Sequence, residues 1–163
     1  MKHFAVLLLF ACVLLYLPGC RLNDMEPDEM DAYLDGVVEK IGDSQITDDD
    51  DLIGQRDLGD DTYCGSYVAN CNNQTGRDVV FGGASIHERV LLCHGSVQVE
   101  SGTAEIRIRL NDEVIILQTD EKGGFETKLH LKSGGNYIMI DYSNFSGSVE
   151  MFCQDSKEAT LTT

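Results

Sequence analysis

The sequence predicts an all-β domain, a β-sandwich of about seven strands, preceded by a signal peptide and an acidic, partly helical linker. Three observations carry that reading. From Thr62 onward, apolar residues alternate with polar ones at a period of two. Turn residues separate these alternating runs about every ten residues, the rhythm of hairpins. Ahead of them lie a short apolar run behind Lys2 and a long acidic stretch.

The first element is an export leader over residues 1–19. Lys2 and His3 precede an unbroken apolar run from Phe4 to Leu17. As a helix this run rises about 21 Å, short of the roughly 30 Å hydrocarbon core of a bilayer. It fits the core of a signal peptide better than a membrane span, and Cys12 leaves with it. The run ends in Leu17-Pro18-Gly19-Cys20. This tetrapeptide resembles the lipobox of bacterial lipoproteins, with an apolar residue three before the cysteine and a small one immediately before it. The resemblance implies that Cys20 becomes the acylated (palmitate-type) first residue of the mature chain. Each buried methylene contributes about 0.8 kcal/mol, so two or three acyl chains anchor firmly without spanning. Arg21 stands where enteric lipoproteins retained at the inner membrane carry aspartate. The resemblance therefore implies a lipoprotein of the cell envelope, extracytoplasmic, at the outer membrane or cell surface.

The second element, residues 20–61, joins the lipidated cysteine to the domain. Residues 21–61 hold 15 acids against three bases, Arg21, Lys40 and Arg56. Such acid density with few aromatics reads as a solvated tether. Within it, Met30, Tyr33, Leu34, Val37, Val38 and Ile41 recur at helical spacing and predict a short amphipathic helix over 28–41. Residues 42–60 are expected to be disordered, with Arg56 open to proteolysis. The run Asp48 to Asp51 invites a calcium reading. With Asp49 at the first position of an EF-hand loop, however, Ile53 spoils the fifth, and Asp60 replaces the closing glutamate. No metal ligand set is assigned there.

The third element, residues 62–155, is the β domain, with a polar tail over 156–163. Val97 and Val99 alternate with Gln98 and Glu100. Ala104, Ile106, Ile108 and Leu110 alternate with charged residues, as do Phe125, Leu129 and Leu131. Ile138, Ile140, Tyr142, Val149 and Met151 continue the pattern. Each run reads as a half-buried strand with one wet face. Tyr63 to Ala69 and Val79 to Ala84 add edge strands. Hairpin turns are expected at Ser101-Gly102, Asn111-Asp112, Lys122 to Gly124, Ser133 to Gly135 and Asn144 to Gly147. The stretch with Gly95-Ser96-Val97, Thr119-Asp120-Glu121-Lys122-Gly123-Gly124-Phe125 and Gly135-Asn136-Tyr137-Ile138 resembles the prealbumin-like, carboxypeptidase-regulatory type of β-sandwich. That family is mostly composed of noncatalytic accessory domains.

Residues able to do chemistry are few. His87, His94 and His130 read as surface histidines, and Gly83-Ala84-Ser85-Ile86-His87 imitates only the first half of a nucleophile elbow. Adjacent Cys93 and His94 point to opposite faces of a strand and cannot share a zinc ion. No cofactor is implied, and the chain is not read as an enzyme. A net charge of -16 repels nucleic acid. Tyr63, Tyr67, Phe81, Tyr137, Tyr142 and Phe152 read as core, and Phe145 as an exposed loop aromatic. The expected role is a lipid-anchored, noncatalytic interaction or structural module with an unknown protein or glycan partner. The alternative is a carbohydrate- or calcium-binding surface lipoprotein, working near Phe145 or the aspartate run.

Four cysteines remain after Cys12 and Cys20: Cys64, Cys71, Cys93 and Cys153. An even number in an exported chain points to two disulfides. Cys93 shares the parity of Val97, and Cys153 that of Val149 and Met151, so both face the core unless a bulge at Gly95 flips Cys93. The expected pairs are Cys93–Cys153, meeting across the sandwich, and Cys64–Cys71.

Overall fold

The computed structural model describes residues 45–156 and, before them, Glu29, Tyr33, Leu34, Gly36, Val37 and Val38. The chain divides into two units, Met1–Gly36 and Val37–Thr163. Glu29, Tyr33, Leu34 and Gly36 of the first unit are helical, as are Val37 and Val38 at the start of the second. The leader, Cys20, the remaining positions of the 28–41 stretch and residues 157–163 lie outside the described residues.

The second unit is all-β. Its strands are β1 (Gln55–Leu58), β2 (Gly65–Ser85), β3 (Arg89–Leu110), β4 (Glu113–Ile116), β5 (Gly124–Leu131) and β6 (Gly134–Asp155). They form one antiparallel sheet in the order β1-β2-β6-β3-β4, with β5 also paired to β3. The all-β class is as the sequence predicts, and the strands number six, hydrogen-bonded into one sheet, against the seven or so expected.

Three of the strands are 21 or 22 residues long, against a usual five or six. Two expected hairpin turns, Ser101-Gly102 and Asn144 to Gly147, fall inside β3 and β6. The β2–β6 ladder runs from Gly65↔Cys153 to Ser85↔Gly134, interrupted only by register shifts. The β3–β6 ladder behaves alike, with shifts between Val99, Ser101 and Thr103. At these shifts each long strand carries a left-handed residue: Asn73 (φ 53°), Gly102 (φ 71°) and Asn144 (φ 47°). They adjoin one another. Asn73 N–H donates to Ser146 Oγ, and Asn144 N–H donates to Thr75 Oγ1, both at 2.9 Å. A Cβ at Gly102 would lie 2.2 Å from the Asn144 carbonyl oxygen. Glycine is required there on both counts. The turn chemistry is real, but it bends strands already paired on either side and connects none.

The bend lets one sheet enclose its own core. Tyr67 and Asp78 stand eleven residues apart on β2, about 36 Å if extended, yet their side chains are hydrogen-bonded at 2.5 Å. The enclosed cluster contains Tyr67, Phe81, Leu91, Ile108, Ile140, Phe145 and Val149, all essentially inaccessible. The alternation read from the sequence holds along β5, but breaks in β6, where Asn136 to Ile140 are all buried, and in β3. Val97 is buried but Val99, beside the first register shift, is 57% exposed.

Residues 45–61 depart furthest from expectation. Instead of a disordered spacer, they close one edge of the sheet. β1 pairs with β2 from Gln55↔Val68 to Leu58↔Gly65. Farther along β2, Thr47 N–H donates to Val79 O, and Val79 N–H donates back to Thr47 Oγ1. The Arg56 guanidinium, 6% exposed, donates to Val80 O and Thr47 O and pairs with Asp49. Ile53 and Gly54 N–H donate to the buried Asp78 carboxylate. The ordered domain therefore begins by Thr47, well before Thr62. Polar contacts to β2 hold this segment, which is why its acid content alone read as solvated.

Candidate functional site

The cysteines separate into a bridge and two free thiols. Cys93 and Cys153 lie directly opposite each other on β3 and β6, Cα atoms 4.2 Å apart, and form a disulfide. Both are buried, as parity required. Register is unbroken from Leu91 to Val99, so Gly95 introduces no flip. The bridge joins neighbours within one ladder rather than crossing between layers. The expected Cys64–Cys71 pair does not form, and both thiols are free. Cys64 precedes β2 and Cys71 lies within it, so an extended backbone separates them by roughly 20 Å. Neither Gly65 nor Asn70 turns the chain back.

Cys64 lines a cleft of about 450 Å³ with Gly59, Asp61, Arg89, Cys153 and Asp155. Burial, and then the neighbouring Asp61 charge, push its thiol up to about 12 despite Arg89 nearby. A thiol so shifted is a poor nucleophile at neutral pH. Arg89 meets Asp61 at 2.7 Å and Asp155 at 3.2 Å, and its guanidinium sits 4.5 Å from the centre of the Tyr63 ring. Burial works against that charge, but the two carboxylates outweigh it and raise the arginine. The cleft thus holds an ion cluster in which Arg89 is engaged by both Asp61 and Asp155.

The other residues considered for chemistry are dispersed. His87, His94 and His130 are all exposed, and His94 rests against the Phe152 ring at 5.3 Å. Ser85 Oγ accepts from His87 N–H and donates to His87 O, a local turn with the backbone. Phe145, expected to be exposed, is fully buried beside Tyr142, because the bend at Asn144 turns it inward. Phe152, expected in the core, is 38% exposed. Tyr63, Tyr67, Phe81, Tyr137 and Tyr142 are buried. Asp49 to Asp51 form a short 3-10 turn whose Asp49 is engaged by Arg56. Among the described residues, no group of three or more His, Cys, Asp or Glu could hold a metal ion.

Two features escaped the sequence reading. One is a buried polar knot. The Asp78 carboxylate accepts from Ile53 N–H, Gly54 N–H and the Tyr67 hydroxyl, and Tyr67 also hydrogen-bonds Tyr142 at 2.8 Å. Burial, and then the bond to Asp78, raise the Tyr67 phenol above its usual range. The other is the sheet edge at β4, where Val114, Ile115 and Ile116 are 45%, 38% and 44% exposed. Its signal was the unbroken apolar run Val114 to Leu117, which does not alternate. No protein-family model matches this chain, and no curated protein matches it.

Proposed function

We propose that the chain is a lipid-anchored extracytoplasmic protein whose β domain is a noncatalytic interaction module. The Cys93–Cys153 disulfide carries the reading. Such bridges form and persist in oxidising compartments outside the cytoplasm, which agrees with a leader ending in Gly19-Cys20. The interaction role draws support from apolar side chains left on the surface of a domain that already has a full core, among them Val99, Phe152 and the β4 residues.

Fractionation tests the anchor. The wild-type chain partitions with the envelope and, on globomycin treatment, accumulates with its leader attached. Cys20→Ser leaves the membrane in high salt. Retention of Cys20→Ser in the envelope at high salt would show that something other than lipid holds the protein.

A further inference from the structure

β4 ends the sheet, and among the described residues its only strand partner is β3. The register shows which of its backbone groups point away from β3. Leu117 N–H donates to Ile106 O at 2.9 Å, and antiparallel pairs alternate, so the peptide groups of Ile115 and Glu113 face β3. Those of Val114 and Ile116 face away from the sheet. The side chains reinforce the opening. Ile115 is 38% exposed although Ile108, directly opposite on β3, is 1% exposed. The apolar face that is sealed at β3 is open at β4.

The other edges are protected. β1 carries Arg56 and Asp57, and β5 carries Glu126 and Lys128, charges that discourage strand pairing. Along β2, the Thr47 backbone, the Arg56 side chain and the Thr62 carbonyl occupy groups of Val79, Val80 and Gly82. β4 has only Glu113, at its first position.

Charge selects the occupant. The exposed acids Asp112 and Glu113 open the strand, and exposed Asp120 and Glu121 follow it closely. A second copy adding antiparallel to β4 would set these acidic ends against one another, and each chain carries a net -16. Arg107 does not offset them, because it already faces Glu105 and Asp141; Arg109 is stacked on Tyr137 and bonded to Gln45. We propose that β4 binds, by strand addition, an extended segment of another protein that is apolar at its centre and basic at both ends. Backbone hydrogen bonds from Val114 and Ile116 supply the register, and their side chains, with Ile115, supply the apolar contact. The proposal rests on the interaction-module reading and names the partner chemistry for it.

The test uses the full chain in detergent and a labelled peptide of alternating Val and Thr flanked by paired lysines. A counterpart flanked by glutamates is measured alongside. Val114→Pro removes an outward N–H while leaving the β3 ladder intact, and Ile116→Lys adds charge to the edge. The lysine-flanked peptide should bind saturably. Val114→Pro should bind it about tenfold more weakly, the loss expected for one or two backbone hydrogen bonds. Ile116→Lys and the glutamate-flanked peptide should do no better. Circular dichroism and an intact Cys93–Cys153 bridge confirm that each variant is folded. Failure of the lysine-flanked peptide to bind, equal binding of both peptides, or indifference to Val114→Pro overturns the proposal. So does sedimentation showing a dimer that Val114→Pro dissolves, which assigns the edge to a second copy. None of these results alters the behaviour of Cys20→Ser, so the anchored-module reading stands or falls separately.

Discussion

The Tyr67 hydroxyl donates to the Asp78 carboxylate at 2.5 Å although the two residues lie eleven apart on one strand. The contact fastens the two halves of bent β2 to each other. Through Ile53 and Gly54 N–H it also fastens the segment ahead of β1 to the same point. Asp78 is fully buried, so its donors have no water to replace it.

That arrangement separates two substitutions. Asp78→Ala strips the Ile53 and Gly54 N–H groups of their acceptor and leaves the Tyr67 hydroxyl only Tyr142, and should cost about 3–5 kcal/mol. Tyr67→Phe removes the bonds to Asp78 and Tyr142 but leaves Asp78 its two backbone donors, and should cost about 1–2 kcal/mol. Urea unfolding measures both. Equal, small losses would mean that water reaches the site and that the knot does not hold the bend.

How much of this was legible depends on how far apart the interacting residues lie. The alternation of Ile106 and Ile108, Leu129 and Leu131, or Ile138 and Ile140 is local, and it placed the buried faces correctly. The bends are another matter. Asn144 and Gly102 look the same in sequence whether they end a strand or bend one, because the difference lies in the ladder continuing on both sides. Parity sufficed for Cys93 and Cys153, which needed only to face one way on neighbouring strands. Cys64 and Cys71 depended on the path of the chain between them, which spacing does not determine. The segment around Arg56 was misread because its partners, Val80 and Asp78, lie more than twenty residues away and the contacts are polar.

The Cys93–Cys153 bridge closes a loop of 60 residues. Loop-closure entropy places its contribution at about 4 kcal/mol. Reduction, or Cys93→Ala with Cys153→Ala, should lower the unfolding free energy by about that amount while leaving β circular dichroism intact at low temperature. Unfolding that is unchanged by reductant would show that the bridge is absent or that the reduced chain is equally constrained.

Cys64 gives the pH prediction. Its thiol, pushed up to about 12, reacts only as thiolate. At pH 8 the thiolate fraction is on the order of one in ten thousand, so native-state alkylation should be slow and should rise about tenfold per pH unit to beyond pH 10. The sign for stability follows. The native state keeps a proton that the unfolded thiol releases above about pH 9, so this group's contribution is present below that pH and declines as pH rises toward the folded value. A labelling rate that levels off near pH 9 would place the thiol in ordinary solvent and contradict the burial described for it.

Arg56 provides the last test. It is the trypsin site that an open spacer would expose, but here its guanidinium is 6% exposed and bonded to Val80 O, Thr47 O and Asp49. Its backbone is paired, with Arg56 opposite Tyr67. A protease needs an extended, accessible segment, so cleavage after Arg56 requires the edge to detach first. Trypsin should therefore spare this bond under native conditions while cutting it in the urea-unfolded chain. Arg56→Ala removes several hydrogen bonds at once from a nearly buried cation and should cost about 1–3 kcal/mol. That variant lacks the trypsin site, so an aspartate-directed protease reads it out: cleavage among Asp48 to Asp51 should be faster than in wild type. Rapid native cleavage after Arg56 in wild type would restore residues 45–61 to the role of a free tether and leave the Val79–Val80 edge of β2 open.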